Sequence, residues 1–244
     1  MMRLDHLVIL VPDLEEAVQD YGRLGFRVAP GGEHADSLTR NALVPFRDGT
    51  YLELVSFLDD KGARDNVWGW RGFLPRGGLV DYCAASDGLL EDVRRLRRLG
   101  FEVDGPTGGG RRLPDGEEIR WRSASVSQEG RTLPFLIEDV TPRDSRVPAG
   151  PATDHPNGVT GILRLEISAH DTLKTSENLA VLTGSAPGSP KLGSCGLIVI
   201  RREKAGRQGP AVARLSTDTQ QNAREPDQRL ARGFRFTLSP EAES

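Results

Sequence analysis

One pattern recurs along the chain and restricts the folds open to it. "LDHLVILVPDLEEAVQDYGRLGFRV" (4–28) and "GLVDYCAASDGLLEDVRRLRRLGFEV" (78–103) share a plan: a short apolar strand, an Asp, a helix-period segment, Leu-Gly-Phe and a second strand. "GILRLEISAHDTLKTSENLAVLTG" (161–184) repeats it, and "PAVARLSTD…RLARGFRF" is a weaker fourth echo. The spacing from Asp to Gly is 12 positions for Asp13–Gly25 and 13 for both Asp87–Gly100 and Asp171–Gly184. Each Asp reads as a helix N-cap, with Asp13 and Glu16 at capping-box spacing. Apolar residues at Ala17, Val18, Tyr21 and Leu24, and at Leu89, Val93, Leu96 and Leu99, follow helical periodicity. Each Gly takes the C′ position, where a left-handed conformation closes the helix. Self-similarity at this period means a structural unit used several times.

After the first copy, "NALVPF" and "TYLELVSF" flank the turn "RDG"; after the second, "EEIRWRSASVS" and "TLPFLIEDV" flank "QEG". These are strand–turn–strand signatures, so each unit reads as strand–helix–strand–strand–strand. The fold class is α+β: paired βαβββ units forming a cupped mixed sheet, followed by a shorter, diverged βα-containing C-terminal half. The units span about 1–58 and 77–142 within a region 1–147. The Pro-, Gly- and Asp-rich stretch at 148–157 reads as a linker, and 158–244 as the diverged half, with a polar tail around 216–233 that includes loop. "DDKGARDNVWGWRGFLPRGG" between the units carries Trp68, Trp70 and Phe73, aromatics suited to roof a pocket or anchor a connecting helix.

Composition excludes several classes. A net charge of −3 argues against a general nucleic-acid binder. The arginines of "RRLRRLG" alternate with leucines and suit a solvated helix face. Two cysteines, Cys83 and Cys195, both in apolar runs, suit free thiols in a reducing compartment. No apolar stretch approaches the ~20 residues of a membrane span, and the start of the chain lacks a signal-peptide layout. The expected location is the cytoplasm.

Two polar residues stand out on apolar strands: His6 in "LDHLVILVPD" and Glu53 in "GTYLELVSF". Burying either without a partner is costly. Each is therefore either a satisfied core residue or part of a site.

The stretches "LDHLVILVPDLEEA", "GGEHADSLTRNALVPF", "YLELVSF", "GGGRRLPDGEEIRWRSASV", "LPFLIEDVTPR" and "DHPNGVTGILRLEI" carry a resemblance to the glyoxalase-like domain family of the vicinal oxygen chelate superfamily. It covers most of residues 1–170. It implies a cup holding a divalent metal, with one ligand from the first and one from the fourth strand of each unit. On this chain His6 and Glu53 match the first half-site, a donor pair suited to Zn, Mn, Ni or Fe. The second half-site departs from the pattern, with Val80 and Phe135 at the corresponding places. His34 is the candidate third metal ligand. His6 and Glu53 are the catalytic candidates, and His34, Arg112, Trp121, Trp70 and His155 the substrate-binding ones. Arg112, on the Gly-rich segment, is of a type that clamps a carboxylate or phosphate.

The resemblance thus implies a metal-dependent lyase or isomerase acting on a small oxygenated metabolite. The alternative is a non-catalytic small-molecule binding protein of the bleomycin-resistance type, which the missing second half-site favours. The expected partner is a small molecule, with neither nucleic acid nor membrane, and the chain is expected to be a monomer or homodimer.

Overall fold

The computed structural model of the chain describes residues 2–65, 67–113, 116–201, 206–218 and 226–240; the rest of the polar tail, 219–225, lies outside the described residues. The first unit comprises β1 (Arg3–Leu10), α1 (Leu14–Arg23), β2 (Ala29–His34), β3 (Thr39–Pro45) and β4 (Tyr51–Phe57). A short α2 (Asp60–Asp65) and a 3-10 turn (Trp70–Phe73) lead to the second: β5 (Gly78–Ala85), α3 (Leu89–Arg98), β6 (Val103–Arg112), β7 (Glu118–Val126) and β8 (Phe135–Asp139). Then come α4 (Arg143–Arg146), a 3-10 turn (Gly150–Thr153), β9 (Val159–Ala169), α5 (Thr172–Thr183), β10 (Lys191–Leu192), β11 (Cys195–Arg201), β12 (Gly209–Thr217) and β13 (Phe236–Pro240).

Local chemistry sets the helix ends. The Asp13 carboxylate accepts from Glu16 N (2.8 Å) and the Asp171 carboxylate from Lys174 N (3.0 Å), as N-caps do. Gly25, Gly100 and Gly184 all have positive φ after the last turn. The second unit differs at its helix start. There Gly88 is the N-cap, and Asp87 instead pairs with Arg3 across the surface at 2.7 Å.

The cupped sheet closes on itself. Its eight strands run β1-β4-β3-β2-β6-β7-β8-β5 around a barrel. Within each unit the outer strands are parallel (β1 with β4, β5 with β8), and the units meet antiparallel along β1–β5. The opposite join is thin: Glu33 pairs with Arg112 and His34 with Arg111, with Ala35 N donating to Gly110 O (2.8 Å) just beyond.

The C-terminal sheet, β10-β11-β9-β12-β13, repeats that plan in shortened form. β9 is parallel to β11 and antiparallel to β12, and β12 is parallel to β13, matching β1 with β4, β1 with β5 and β5 with β8. Among the described residues this sheet has five strands and stays open. One core lies between barrel wall and open sheet, joining Leu7, Ile9, Tyr21, Phe26 and Tyr82 to Leu165, Ile167, Leu215, Phe234 and Phe236. β1 is therefore buried on both faces beyond Arg3, whereas β9 exposes Leu163 and Arg164 in its middle. The inner face of the barrel holds a smaller apolar cluster of Val8, Leu10, Val55, Trp70, Val80, Cys83, Phe135 and Ile137.

Candidate active site

Inside the barrel is a cavity of about 500 Å³. His6, His34, Asn41, Glu53, Arg111, Trp68, Trp70, Trp121 and Phe135 are among its lining residues.

Strand register brings the polar groups together. Val8 on β1 lies beside Glu53 on β4, which puts the inward-facing His6 and Glu53 side chains on neighbouring strands. His6 Nε2 is 3.3 Å from Glu53 Oε2, and His34 Nε2 is 3.5 Å from Glu53 Oε1. Asn41 Nδ2 donates to Glu53 Oε1 (2.5 Å), while its own oxygen accepts from Gly32 N (3.1 Å). Each imidazole is also gripped from behind. His6 Nδ1–H donates to Asp5 Oδ1 at 2.7 Å, and His34 Nδ1 bonds the Thr39 hydroxyl at 2.7 Å.

Behind His6 lies an ionic network centred on the buried Asp5 and Arg146. Arg146 sends two parallel bonds to Asp5 (Nη1 to Oδ1 and Nη2 to Oδ2, both 2.9 Å), a third to the Tyr51 hydroxyl (2.7 Å) and further ones to Asp139. Arg143 adds a bond to Asp5 Oδ2 (2.5 Å). Both arginines sit on α4, directly after the second unit. Burial alone would push the Asp5 carboxyl up, but the Arg146 guanidinium and the His6 hydrogen bond hold it well below the usual range. Burial likewise opposes the charge on His6, yet the bonds to Asp5 and Glu53 raise its pKa above the ordinary value. Glu53 is lowered in turn: its bonds to His34 and His6 outweigh desolvation. Both carboxylates thus make the His6 ring hold its proton more tightly than a free imidazole does.

The residues fit a divalent cation at one place. With Asp5 accepting from His6 Nδ1–H, the Nε2 lone pair becomes available once the proton leaves. The Thr39 hydroxyl can do the same for His34. Two Nε2 atoms and one carboxylate converging on the cavity are a donor set for a first-row divalent ion. Among the described residues, the one group of three metal-capable side chains within 4.8 Å of one another is Asp5, His6 and Cys83. That group suits a cation poorly. Two guanidiniums already bond the Asp5 oxygens, and burial holds the Cys83 thiol well above its usual pKa, so it stays protonated.

The second unit contributes apolar surface to this region. Cys83 lies opposite His6 on β5 and faces Phe135 on β8, and Val80 joins the same apolar layer. Phe135 meets the His6 ring edge-on, at 5.5 Å between centroids.

Two of the expected substrate-binding residues lie elsewhere. His155 is buried outside the cavity. Its Nδ1 accepts from Arg27 N (2.9 Å), which fixes the tautomer, and Nε2–H donates to Pro45 O (2.8 Å). It stacks edge-on against Phe26 and Phe46, bracing the 148–157 segment on the first unit. Arg112 points outward at the rim, exposed and paired with Glu118 at 3.1 Å. β6 presents its neighbour instead: Arg111 is buried and lines the cavity. Trp70 lines the cavity while its Nε1–H donates to Asp81 Oδ2 (3.1 Å). Trp121 meets His34 edge-on at 6.0 Å.

Sequence reasoning passed over Asp5, Asn41, Arg111, Arg143 and Arg146. Asp5 carried the same signal as His6, a charge on an apolar strand. The two arginines lay in a stretch whose prolines made it read as the approach to a linker.

The glycines of "GGEH" let β2 approach Asn41. A Cβ on Gly31 would stand 2.0 Å from Asn41 Oδ1 and 2.5 Å from its carbonyl oxygen. Gly31→Ala is therefore expected to cost about 1–3 kcal/mol through overpacking and to pull Asn41 off Glu53. Thermal melting of the variant checks this, and an unchanged melting temperature would contradict it.

The model of the glyoxalase-like domain family matches residues 4–183. The chain belongs to that family. The match runs through both barrel units and into α5, consistent with the vicinal oxygen chelate superfamily. A search of curated proteins returns no significant match. Among solved structures, a hypothetical protein from Staphylococcus aureus is similar over 98% of this chain and 100% of its own, with TM-score 0.79 at 12% identity; the two share a fold. A xylose isomerase-like TIM barrel/4-hydroxyphenylpyruvate dioxygenase fusion protein is similar over 91% of this chain but 37% of its own, with TM-score 0.52 and 14% identity. Methylmalonyl-CoA epimerase from Mycobacterium tuberculosis is similar over 59% of this chain and 91% of its own, with TM-score 0.43 and 23% identity, a likeness too loose to bear on function. No helix among the described residues of this glyoxalase-like chain is long and apolar enough to cross a membrane.

Proposed function

We propose that the barrel cavity is the active site of a metal-dependent lyase or isomerase acting on a small molecule with neighbouring oxygens. The observation that carries this is the convergence of His6 Nε2 and His34 Nε2 on the two oxygens of Glu53 at the cavity wall. These three residues would hold a divalent ion of the Zn, Mn, Ni or Fe kind. When bound, such an ion acts as a Lewis acid that polarises a substrate oxygen and makes an adjacent C–H more acidic.

The side chains do the rest. Asp5 keeps the His6 ring oriented, and Asn41 pins Glu53 Oε1, leaving Oε2 to accept a proton from substrate. Trp68, Trp121 and Phe135 exclude water from the substrate and supply apolar contact. Every group named comes from one chain, so the reading needs no second copy. Free, buried Cys83 and Cys195 accord with a reducing compartment such as the cytoplasm.

A second reading, a ligand-sequestering protein without catalysis, is favoured by the apolar second half-site of Val80, Cys83 and Phe135. Metal content by plasma mass spectrometry, in wild type and His6→Ala, tests the first reading. The expected result is about one equivalent of first-row metal in wild type and loss of at least tenfold in affinity in the variant. Absence of metal after reconstitution would leave the binding role in possession of the cavity. Deuterium exchange into a C–H beside an oxygen, seen with small hydroxy- and oxo-compounds, would separate catalysis from binding.

A further inference from the structure

The polar cluster leaves one cation unmatched. Arg111 is 4% exposed, yet Nη2 donating to Arg146 O (2.5 Å) is the side-chain hydrogen bond it makes among the described residues. Its Nε–H is buried with no partner at all. A buried guanidinium with an idle donor is costly, and native proteins keep such groups paired. Arg111 is directly opposite His34 across the β2–β6 join, so both side chains project to the same, inner side of the barrel. The adjoining Gly108, Gly109 and Gly110 also line the cavity and put no side chain between Arg111 and its interior.

Charge points the same way. Asp5, Glu53 and Asp139 balance Arg111, Arg143 and Arg146. A divalent ion at His6, Glu53 and His34 then leaves the interior with an excess of positive charge. The cavity's remaining acids, Asp36 and Asp104, are exposed at the mouth, where water screens them. A low-dielectric interior with surplus positive charge and an idle guanidinium fork is complementary to an anion.

We infer that Arg111 is the substrate-anchoring residue and that the ligand is a small carboxylate bearing a hydroxyl or oxo group on the neighbouring carbon. The carboxylate completes the Arg111 hydrogen bonds while the neighbouring oxygen faces His6, Glu53 and His34. This rests on the cavity being the ligand site proposed above, and it replaces the rim residue Arg112 with its inward neighbour.

The probes are lactate and lactamide, which match in size and differ in the anion. All three tryptophans of the chain, Trp68, Trp70 and Trp121, line the cavity, so intrinsic fluorescence reports binding directly. On the Mn²⁺-reconstituted protein, lactate is expected to bind at least about tenfold tighter than lactamide, the worth of one charge-assisted bond. Arg111→Gln is expected to abolish that preference by weakening lactate more than lactamide, with the metal stoichiometry as in wild type. Arg111→Lys, which keeps the charge but not the fork, is expected to fall between and serves if the Gln variant does not fold.

Equal affinities in wild type, binding of neither probe, or a preference that survives Arg111→Gln would overturn the inference. The metal stoichiometry reads the function proposal separately. A wild type that takes up no metal but still prefers lactate through Arg111 would sink the metal reading and leave the anchor standing.

Discussion

Arg146→Met is expected to lower stability by about 3–5 kcal/mol, the cost of stranding one member of a buried ion pair. For a chain of this length that corresponds to a fall in melting temperature of roughly 10 °C. The size follows from what is left behind. Asp5, with no solvent exposure, loses both bonds to Arg146, and Tyr51 and Asp139 lose theirs. The bond from His6 and that from Arg143, one-quarter exposed, are what remain to Asp5.

The effect has a defined pH dependence in the metal-free protein. The folded-state pKa of Asp5 lies below its unfolded value, so its contribution is fully present above that value, near 3.9. It is lost as pH falls towards the folded-state pKa. The gap in melting temperature between wild type and Arg146→Met should accordingly be full at neutral pH and narrow below about pH 4. Equal melting temperatures at pH 7 would show that the network contributes nothing.

Glu53 separates support from chemistry. An unpartnered buried carboxylate is a liability, and replacing it with leucine stabilises. Here Glu53 accepts from Asn41 and faces both imidazoles, so Glu53→Leu should instead cost about 2 kcal/mol, chiefly because the buried Asn41 amide loses its short bond to Oε1 and keeps only the 3.4 Å contact with His34 Nε2. Glu53→Gln keeps a carbonyl oxygen for Asn41 and is expected to melt close to wild type. Both variants lose the negative ligand and should bind metal at least tenfold more weakly. Calorimetric melting and metal titration of the two variants check this together. A Leu variant that melts higher than wild type would mean that the Asn41 contact carries no weight.

How far the chain could be read in advance depended on the range of the interaction. The repeated units were legible because caps, C′ glycines and helical periodicity act within a dozen residues. His6 and Glu53 drew attention as polar residues on strands otherwise apolar, a signal that needs no partner to be visible. The supports were hidden because they act at a distance: Asp5 meets Arg143 and Arg146 across 138 and 141 residues. The choice between Arg111 and Arg112 was a matter of strand parity, and a single bulge changes that parity. Register shifts do occur in β6, between Asp104 and Thr107. Asp87, read as a cap, instead pairs with Arg3, 84 residues away in sequence, and Gly88 takes the cap position without a side-chain bond. Closure of the cup into a barrel turned on two residue pairs that no local pattern announces.

That closure distributes the two histidines unequally. β1, carrying His6, is paired at seven positions with β5 and at five with β4, and is packed on both faces; β2, carrying His34, meets β6 at two. Opening free energies across a structure follow such differences in local support. The backbone that carries His6 is therefore expected to exchange more slowly than the short join that carries His34. The dwell time of a ligand held between the two imidazoles is expected to follow the opening of that short ladder rather than of β1.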